Sequence, residues 1–110
     1  MPEDCCPTIR VSGAERSELN QLYTITNRIF NNRPSYIGRY RGIWWDGGRG
    51  EDGNWIIAPE NFIDTGNQFR FIQNNEDTIC PSYSQHWMER LSSGWVVNDN
   101  AQVYCDGTYQ

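Results

Sequence analysis

The sequence predicts an all-β protein: a single antiparallel β domain, built as a curved sheet, a small sandwich or a partly closed barrel, and tied by two disulfides. Three observations lead there. Short apolar runs alternating with polar residues recur at intervals of about 8 to 14 residues, with Gly, Asn, Asp, Ser or Pro between them. Aromatics make up 14% of the chain, including five Trp and six Tyr, which suit a pleated, half-buried surface. Cys5, Cys6, Cys80 and Cys105 form an even set in a small chain with no metal-type Cys-x-x-Cys pair.

Taken in order, Thr8-Ile9-Arg10-Val11-Ser12 alternates with period two and reads as the first strand, ended by Gly13. Ala14 to Asn20 carries Glu15, Arg16 and Glu18, enough for a helical turn or a polar loop but too short for a stable helix. Leu22 to Thr26 is the second strand, with Tyr23 and Ile25 on one face and an extension through Phe30. Asn31-Asn32-Arg33-Pro34 then turns the chain, because asparagine tolerates left-handed dihedrals and proline lacks a donor. Ser35 to Arg41 and Ile43 to Trp45 follow, interrupted by Gly38 and Gly42, which suggest a bulge or a close backbone approach.

Gly42 to Ile57 is the organising stretch, with three tryptophans on two apolar runs separated by nine residues, four of them glycine and three acidic. It reads as a hairpin with a long acidic tip. Asn54 to Ala58 is the partner strand, and Ile43, Trp45, Trp55 and Ile57 form its core face. Pro59 to Asn67 is loop, with Asp64-Thr65-Gly66-Asn67 as its turn signal, and Gln68 to Gln73 restores the alternation with Phe69 and Phe71 inward. Asn74 to Thr78 turns again, and Ile79 to Ser84 is irregular around Cys80-Pro81. Gln85 to Leu91 places Trp87 beside an outward charge pair, Glu89 and Arg90. Trp95 to Val97 and Gln102 to Cys105 complete seven or eight short strands.

At 110 residues the chain is one domain, able to bury roughly 65% of its unfolded surface. A net charge of −5 argues against nucleic acid as partner, since neutralising phosphates needs a concentrated Lys/Arg surface. No apolar run approaches the roughly 18 residues needed to span a bilayer, and no charged-then-apolar N-terminal signal is present, so no membrane insertion is expected. A vicinal Cys5–Cys6 bond would need a strained ring. One of these two cysteines is therefore expected to meet Cys80 and its neighbour Cys105, either way round, in an oxidising, extracellular compartment. Each bond would close a loop of about 75 to 100 residues and contribute about 3 to 5 kcal/mol. His86 is the sole histidine, which disfavours zinc.

The chain resembles a small extracellular β module found in multi-domain secreted or cell-surface proteins of marine invertebrates and protists. The likeness is carried by Ile9-Arg10-Val11-Ser12-Gly13-Ala14, Leu19-Asn20 with Tyr23, Asn31 to Tyr36, Ile43-Trp44-Trp45-Asp46-Gly47, Asn54-Trp55-Ile56-Ile57, Trp87, Gly94-Trp95 and Val103-Tyr104-Cys105. Gln21 and Asn32 stand where that module usually has glycine. The resemblance implies a β fold and an extracellular setting, and no activity.

Four constellations bear on function. Adjacent Trp44 and Trp45 must point to opposite faces of a strand. With Trp45 inward, Trp44 either joins Arg39, Tyr40 and Arg41 on an exposed binding surface, where a ring stacks on apolar ligand faces and arginine orients polar groups, or lies under a second core layer. Asp46, Glu51 and Asp52 among the glycines could supply oxygen ligands to calcium, or simply keep a solvated hairpin tip from edge pairing. Arg28, Arg33, Arg39 and Arg41, in a chain with no lysine, suit bidentate contacts to anionic groups or neutralise neighbouring acids. A catalytic dyad would have to join His86 to Ser82 or Ser84, without any Gly-x-Ser-x-Gly elbow, so no catalytic residue is assigned and no enzyme is expected. The expected function is a secreted module that binds an extracellular glycan or protein, with no cofactor unless calcium. The alternative is a structural domain of a matrix, coat or adhesive.

Overall fold

A computed structural model describes residues 5–47 and 53–106. Among these residues nine strands form one antiparallel sheet: β1 (Thr8–Ser12), β2 (Leu22–Phe30), β3 (Arg33–Ile37), β4 (Arg41–Asp46), β5 (Asn54–Pro59), β6 (Ile72–Asn74), β7 (Met88–Leu91), β8 (Gly94–Val97) and β9 (Gln102–Cys105). The order β8-β7-β6-β5-β4-β3-β2-β1-β9 is a meander, except that β9 returns to the outer side of β1. Accumulated strand twist curls the sheet into a half-barrel, which is the curved-sheet form of the expected all-β fold.

Local chemistry sets the turns. Asn31 and Asn32, at φ 54° and 67°, make the two-residue loop between β2 and β3, the primed turn whose twist matches the flanking strands. Pro34 is the second residue of the return strand, opposite Ile29, rather than the end of the turn. A bulge between Ile25 and Ile29 shifts the β2–β3 register. The Ser35 hydroxyl, fully buried, lies 2.6 Å from the Thr26 hydroxyl and donates to the Arg28 carbonyl at 2.8 Å, which satisfies the backbone that the bulge unpairs.

The concave face holds the main core. Ile43 opposes Ile57 and Trp45 opposes Trp55, and the two indoles meet edge to face at 5.7 Å. Ile9, Val11, Tyr23, Tyr36, Ile72, Trp87 and Val103 complete the layer. The core face read from the hairpin is the one observed. Gly53 is packed so closely that an added Cβ would lie 2.3 Å from the Trp45 ring.

The two ends of the half-barrel are tied across the core. Glu89 on β7 is 0% exposed, and its carboxylate accepts from the backbone N–H of Glu15 at 2.9 Å and of Arg16 at 3.0 Å, both in the loop after β1. Asn98 Nδ2 donates to the same carboxylate at 2.9 Å and lies 3.1 Å from the Gly13 carbonyl. Two disulfides add the covalent ties. Cys5 bonds Cys80, and Cys6 bonds Cys105, with Cα separations of 5.4 and 5.9 Å. No described cysteine is free.

Three readings of the sequence change. Glu89 is not half of an outward charge pair: Trp87 points inward, and period two carries residue 89 to the same side. Residues 68–71 are not a strand. Only Ile72–Asn74 pairs as β6, although Phe71 still donates to the Ile57 carbonyl and accepts from Arg90. Phe69 and Phe71 stack edge to face at 5.0 Å and are half-buried. The segment before β7 is likewise irregular, with His86 at φ 64°.

Candidate functional site

The sheet's convex face carries a second, smaller apolar cluster. Trp44 and Ile56 oppose one another on β4 and β5, Ala58 lies beside them, and Phe30, Phe62 and Ile63 pack over them. Trp44 is 5% exposed. The exposed-Trp44 surface is therefore corrected. Its cover comes from the chain after β5 and from the end of β2, not from a second sheet. The indole folds back over its own strand, with an added Cβ at Gly42 falling 3.2 Å from Trp44 Cζ3.

The covering segment is a fixed loop. Glu60–Phe62 forms a 3-10 turn whose first N–H donates to the Tyr40 carbonyl at 3.0 Å. Asp64 and Gly66 take left-handed φ of 60° and 81°, which Asp tolerates and Gly favours. The Thr65 hydroxyl donates to the Phe62 carbonyl at 2.7 Å and accepts from Asn67 N at 3.2 Å, while Asn67 Oδ1 accepts from Phe69 N at 2.9 Å. Phe62 and Phe69 meet edge to face at 6.3 Å. These short-range bonds give the loop one shape.

Between this loop and the end of the β2–β3 hairpin lies a cleft of about 430 Å³. Ile29, Phe30, Trp44 and Phe62 supply its apolar part, and Asn31, Asp64, Asn67 and Gln68 its exposed polar rim. Asp46 stands at the end of β4, and Arg70, 9% exposed, holds it with an Nη2–Oδ2 distance of 2.5 Å while its Nε donates to the Gln68 carbonyl at 3.0 Å. That pair, with Arg70 buried and Asp46 half-buried, joins the strand to the loop and cancels one of the cleft's two carboxylate charges. The arrangement offers an apolar surface flanked by amide donors and acceptors, the combination that receives a ring bearing both C–H faces and hydroxyls.

The other candidates disperse. Tyr40 sits at the β3–β4 turn with φ 63° and is 70% exposed, with the Arg39 guanidinium 5.9 Å from its ring. Arg41 leaves that surface. Its guanidinium lies 4.9 Å from the Phe71 ring centroid and 3.5 Å from Glu18, so Tyr40, Arg41 and Trp44 do not share a face. The physical reason is strand parity, which sends 41 and 44 to opposite sides. Arg33 is engaged by Asp77, by the Thr78 and Asn31 carbonyls and by the Trp45 ring at 3.9 Å, so the arginines form no common patch. Of the acids considered for calcium, Asp46 is paired with Arg70, and Glu51 and Asp52 lie outside the described residues. No cluster of three or more His, Cys, Asp or Glu side chains suited to a metal occurs among the described residues. His86 Nδ1 lies 3.3 Å from Asp99, while the Ser84 hydroxyl is 2.7 Å from that of Thr78.

The loop wall was missed in the sequence because its covering residues, Phe62 and Ile63, have no strand period. The only signal was the Asp64-Thr65-Gly66-Asn67 turn chemistry that follows them. No helix among the described residues is long and apolar enough to cross a membrane. Comparisons with protein-family models, curated proteins and solved structures return no match, so the likeness to an extracellular β module rests on the residues that carry it.

Proposed function

We propose that the protein is an extracellular recognition module that binds a neutral glycan in the convex-face cleft. The observation that carries this reading is the joining of an apolar floor at Ile29, Phe30 and Phe62, with the edge of Trp44, to an exposed amide rim made by Asn31 at the β2–β3 turn and by Asn67 and Gln68 on a loop already fixed by its own hydrogen bonds. A preformed loop loses little freedom on binding, which favours a ligand that makes few contacts per residue. Asp46 is compensated by Arg70, and the remaining rim charge, Asp64, is negative, so an anionic sugar meets repulsion. Four cysteines joined in two bridges suit the oxidising exterior that such a ligand implies.

A glycan array probed with the whole chain, with calcium and with EDTA, tests the reading. The expected result is binding to neutral oligosaccharides that weakens about tenfold, or about 1.4 kcal/mol, in Asn67→Asp. That change keeps the Oδ1 acceptor on which the loop depends and removes the amide donor. Loss of binding in EDTA would bring calcium into the site. Binding to no glycan, or binding untouched by Asn67→Asp and Asp64→Asn together, overturns the proposal.

A further inference from the structure

Among the described residues the sheet ends at β8 on one side and β9 on the other, and the two edges are not alike. β9 is flanked by the 3-10 turn Pro81–Tyr83 and bonded through Cys105 to the N-terminal segment. Among the described residues β8 ends the sheet and pairs with β7 alone. The register pairs Met88 with Val97, Glu89 with Val96, Arg90 with Trp95 and Leu91 with Gly94. One residue beyond, Asn98 N donates to the Trp87 carbonyl at 2.9 Å. Hydrogen-bonded pairs alternate along an antiparallel ladder, so Val96 and Gly94 bond to β7, and the N–H and C=O of Trp95 and Val97 point away from it.

The same two residues expose their side chains, Trp95 by 38% and Val97 by 57%. From Ser92 to Asn98 there is no charge and no proline, and β8 shows no register shift against β7. Lysine, proline and bulges are the usual means by which an edge strand is kept unpaired, and β8 has none of them. An occupant must therefore be a strand, with apolar side chains opposite residues 95 and 97.

We propose that β8 is a homotypic docking edge at which two copies of this chain pair antiparallel, β8 to β8, about a twofold axis through Val96. In that register Trp95 of each copy faces Val97 of the other, giving two aromatic–β-branched cross-strand pairs. The outward N–H and C=O groups of both residues are then satisfied. Gly94 falls opposite Asn98 and Ser93 opposite Asp99, so no like charges meet at the seam although each chain carries −5. Moving the axis to residue 95 or 97 places one of the two exposed side chains opposite Ser93 or Asp99 instead. The edge is thus its own complement, and a twofold β8-to-β8 contact, using the same patch on both copies, closes as a dimer. This assembly is separate from the cleft and does not rest on the glycan reading.

Sedimentation equilibrium of the whole chain, from micromolar to millimolar concentration, tests it. The expected mass rises from 12.8 kDa to twice that value. Val97→Pro removes an N–H that points away from β7, so the fold persists by near-UV circular dichroism while the dimer is lost. Trp95→Glu supplies a second block that leaves the backbone unaltered. Val96→Cys should oxidise to a covalent dimer on a non-reducing gel, because residues facing each other in a non-hydrogen-bonded pair have Cα atoms about 4.5 Å apart, within disulfide reach. A wild-type chain that stays monomeric at millimolar concentration overturns the proposal and leaves the edge to a foreign strand. A dimer that survives folded Val97→Pro and Trp95→Glu also overturns it, as does Val96→Cys that fails to cross-link.

Discussion

The two disulfides share adjacent anchors, Cys5 and Cys6, and this couples their energies. Considered alone, bonds spanning 75 and 99 residues would each stabilise by about 4.5 to 4.7 kcal/mol in the chain-entropy account. With one bond in place, the other closes a much shorter loop of about 26 residues, the Cys80 to Cys105 stretch plus the Cys5–Cys6 step. Each single loss is then expected to cost about 3.5 kcal/mol despite the different spans, and loss of both about 8 kcal/mol. Cys80 is fully buried and Cys5 nearly so, while Cys105 is exposed, so Cys5→Ala/Cys80→Ala should lose up to about 1 kcal/mol more than Cys6→Ala/Cys105→Ala. Urea unfolding followed by tryptophan fluorescence measures both. Against a stability of about 5 to 15 kcal/mol for an ordinary domain, that combined loss brings the quadruple alanine variant to its unfolding midpoint in buffer at the lower end of the range and removes about half of its stability at the upper end. A cooperative quadruple variant with a near-wild-type midpoint would show that the bridges do not restrain the unfolded chain in this way, as would a single pair worth less than about 1.5 kcal/mol.

Glu89→Gln keeps the shape of the carboxylate but presents an amide NH2 to at least one of the three N–H donors that converge there, so it should cost about 2 to 4 kcal/mol and lower Tm by about 8 to 16 °C in a calorimetric scan. An unchanged Tm would remove Glu89 as the tie between the sheet's ends. Burial raises the Tyr36 phenol to about 12, with a smaller contribution from Tyr83, and raises Tyr23 further, with Gln21 and Arg41 partly opposing. Both hydroxyls donate to carbonyls, Tyr36 to Cys6 at 2.7 Å and Tyr23 to Leu19 at 2.9 Å, and so favour the neutral form. Folded values above the ordinary value of about 10 mean that stability is intact below pH 10 and falls as pH rises toward 12, with a limiting slope of about 1.4 kcal/mol per pH unit for each phenol. Urea midpoints that stay level from pH 9 to 11.5 would contradict this. Tyr40 holds a left-handed φ while 70% exposed, so Tyr40→Gly should raise stability by about 1 kcal/mol in the same assay, and a loss would show that the side chain contributes to packing.

What could be read in advance follows the range of the interactions. Strands β1 and β9 and the β4–β5 core face are governed by period-two alternation and adjacent turn residues, so Ile43, Trp45, Trp55 and Ile57 declared themselves in the sequence. Trp44 did not, because its cover arrives from Phe62 and Ile63 in an aperiodic loop, and composition says nothing about which way that loop folds. The cleft inherits the same obscurity, since its rim exists only once Asp64 and Gly66 take left-handed dihedrals. Glu89 lay within reach of sequence reasoning: period two from Trp87 points it inward, against the expectation that a carboxylate faces water. Its three N–H partners come from residues 9 to 74 positions away, and such partners are invisible locally. The choice between the two disulfide pairings was equally closed, because adjacent cysteines offer the same loop lengths either way round.

Amide chemical-shift mapping shows whether the proposed neutral glycan enters the convex-face cleft. The whole chain, titrated with an array-positive neutral oligosaccharide, should shift the amides of Asn31, Asp64, Thr65, Gly66 and Asn67 together with the Trp44 indole, and leave Tyr40 and His86 in place. Shifts centred on Tyr40 and Arg39, or spread without reference to the 64–67 loop, would contradict the account.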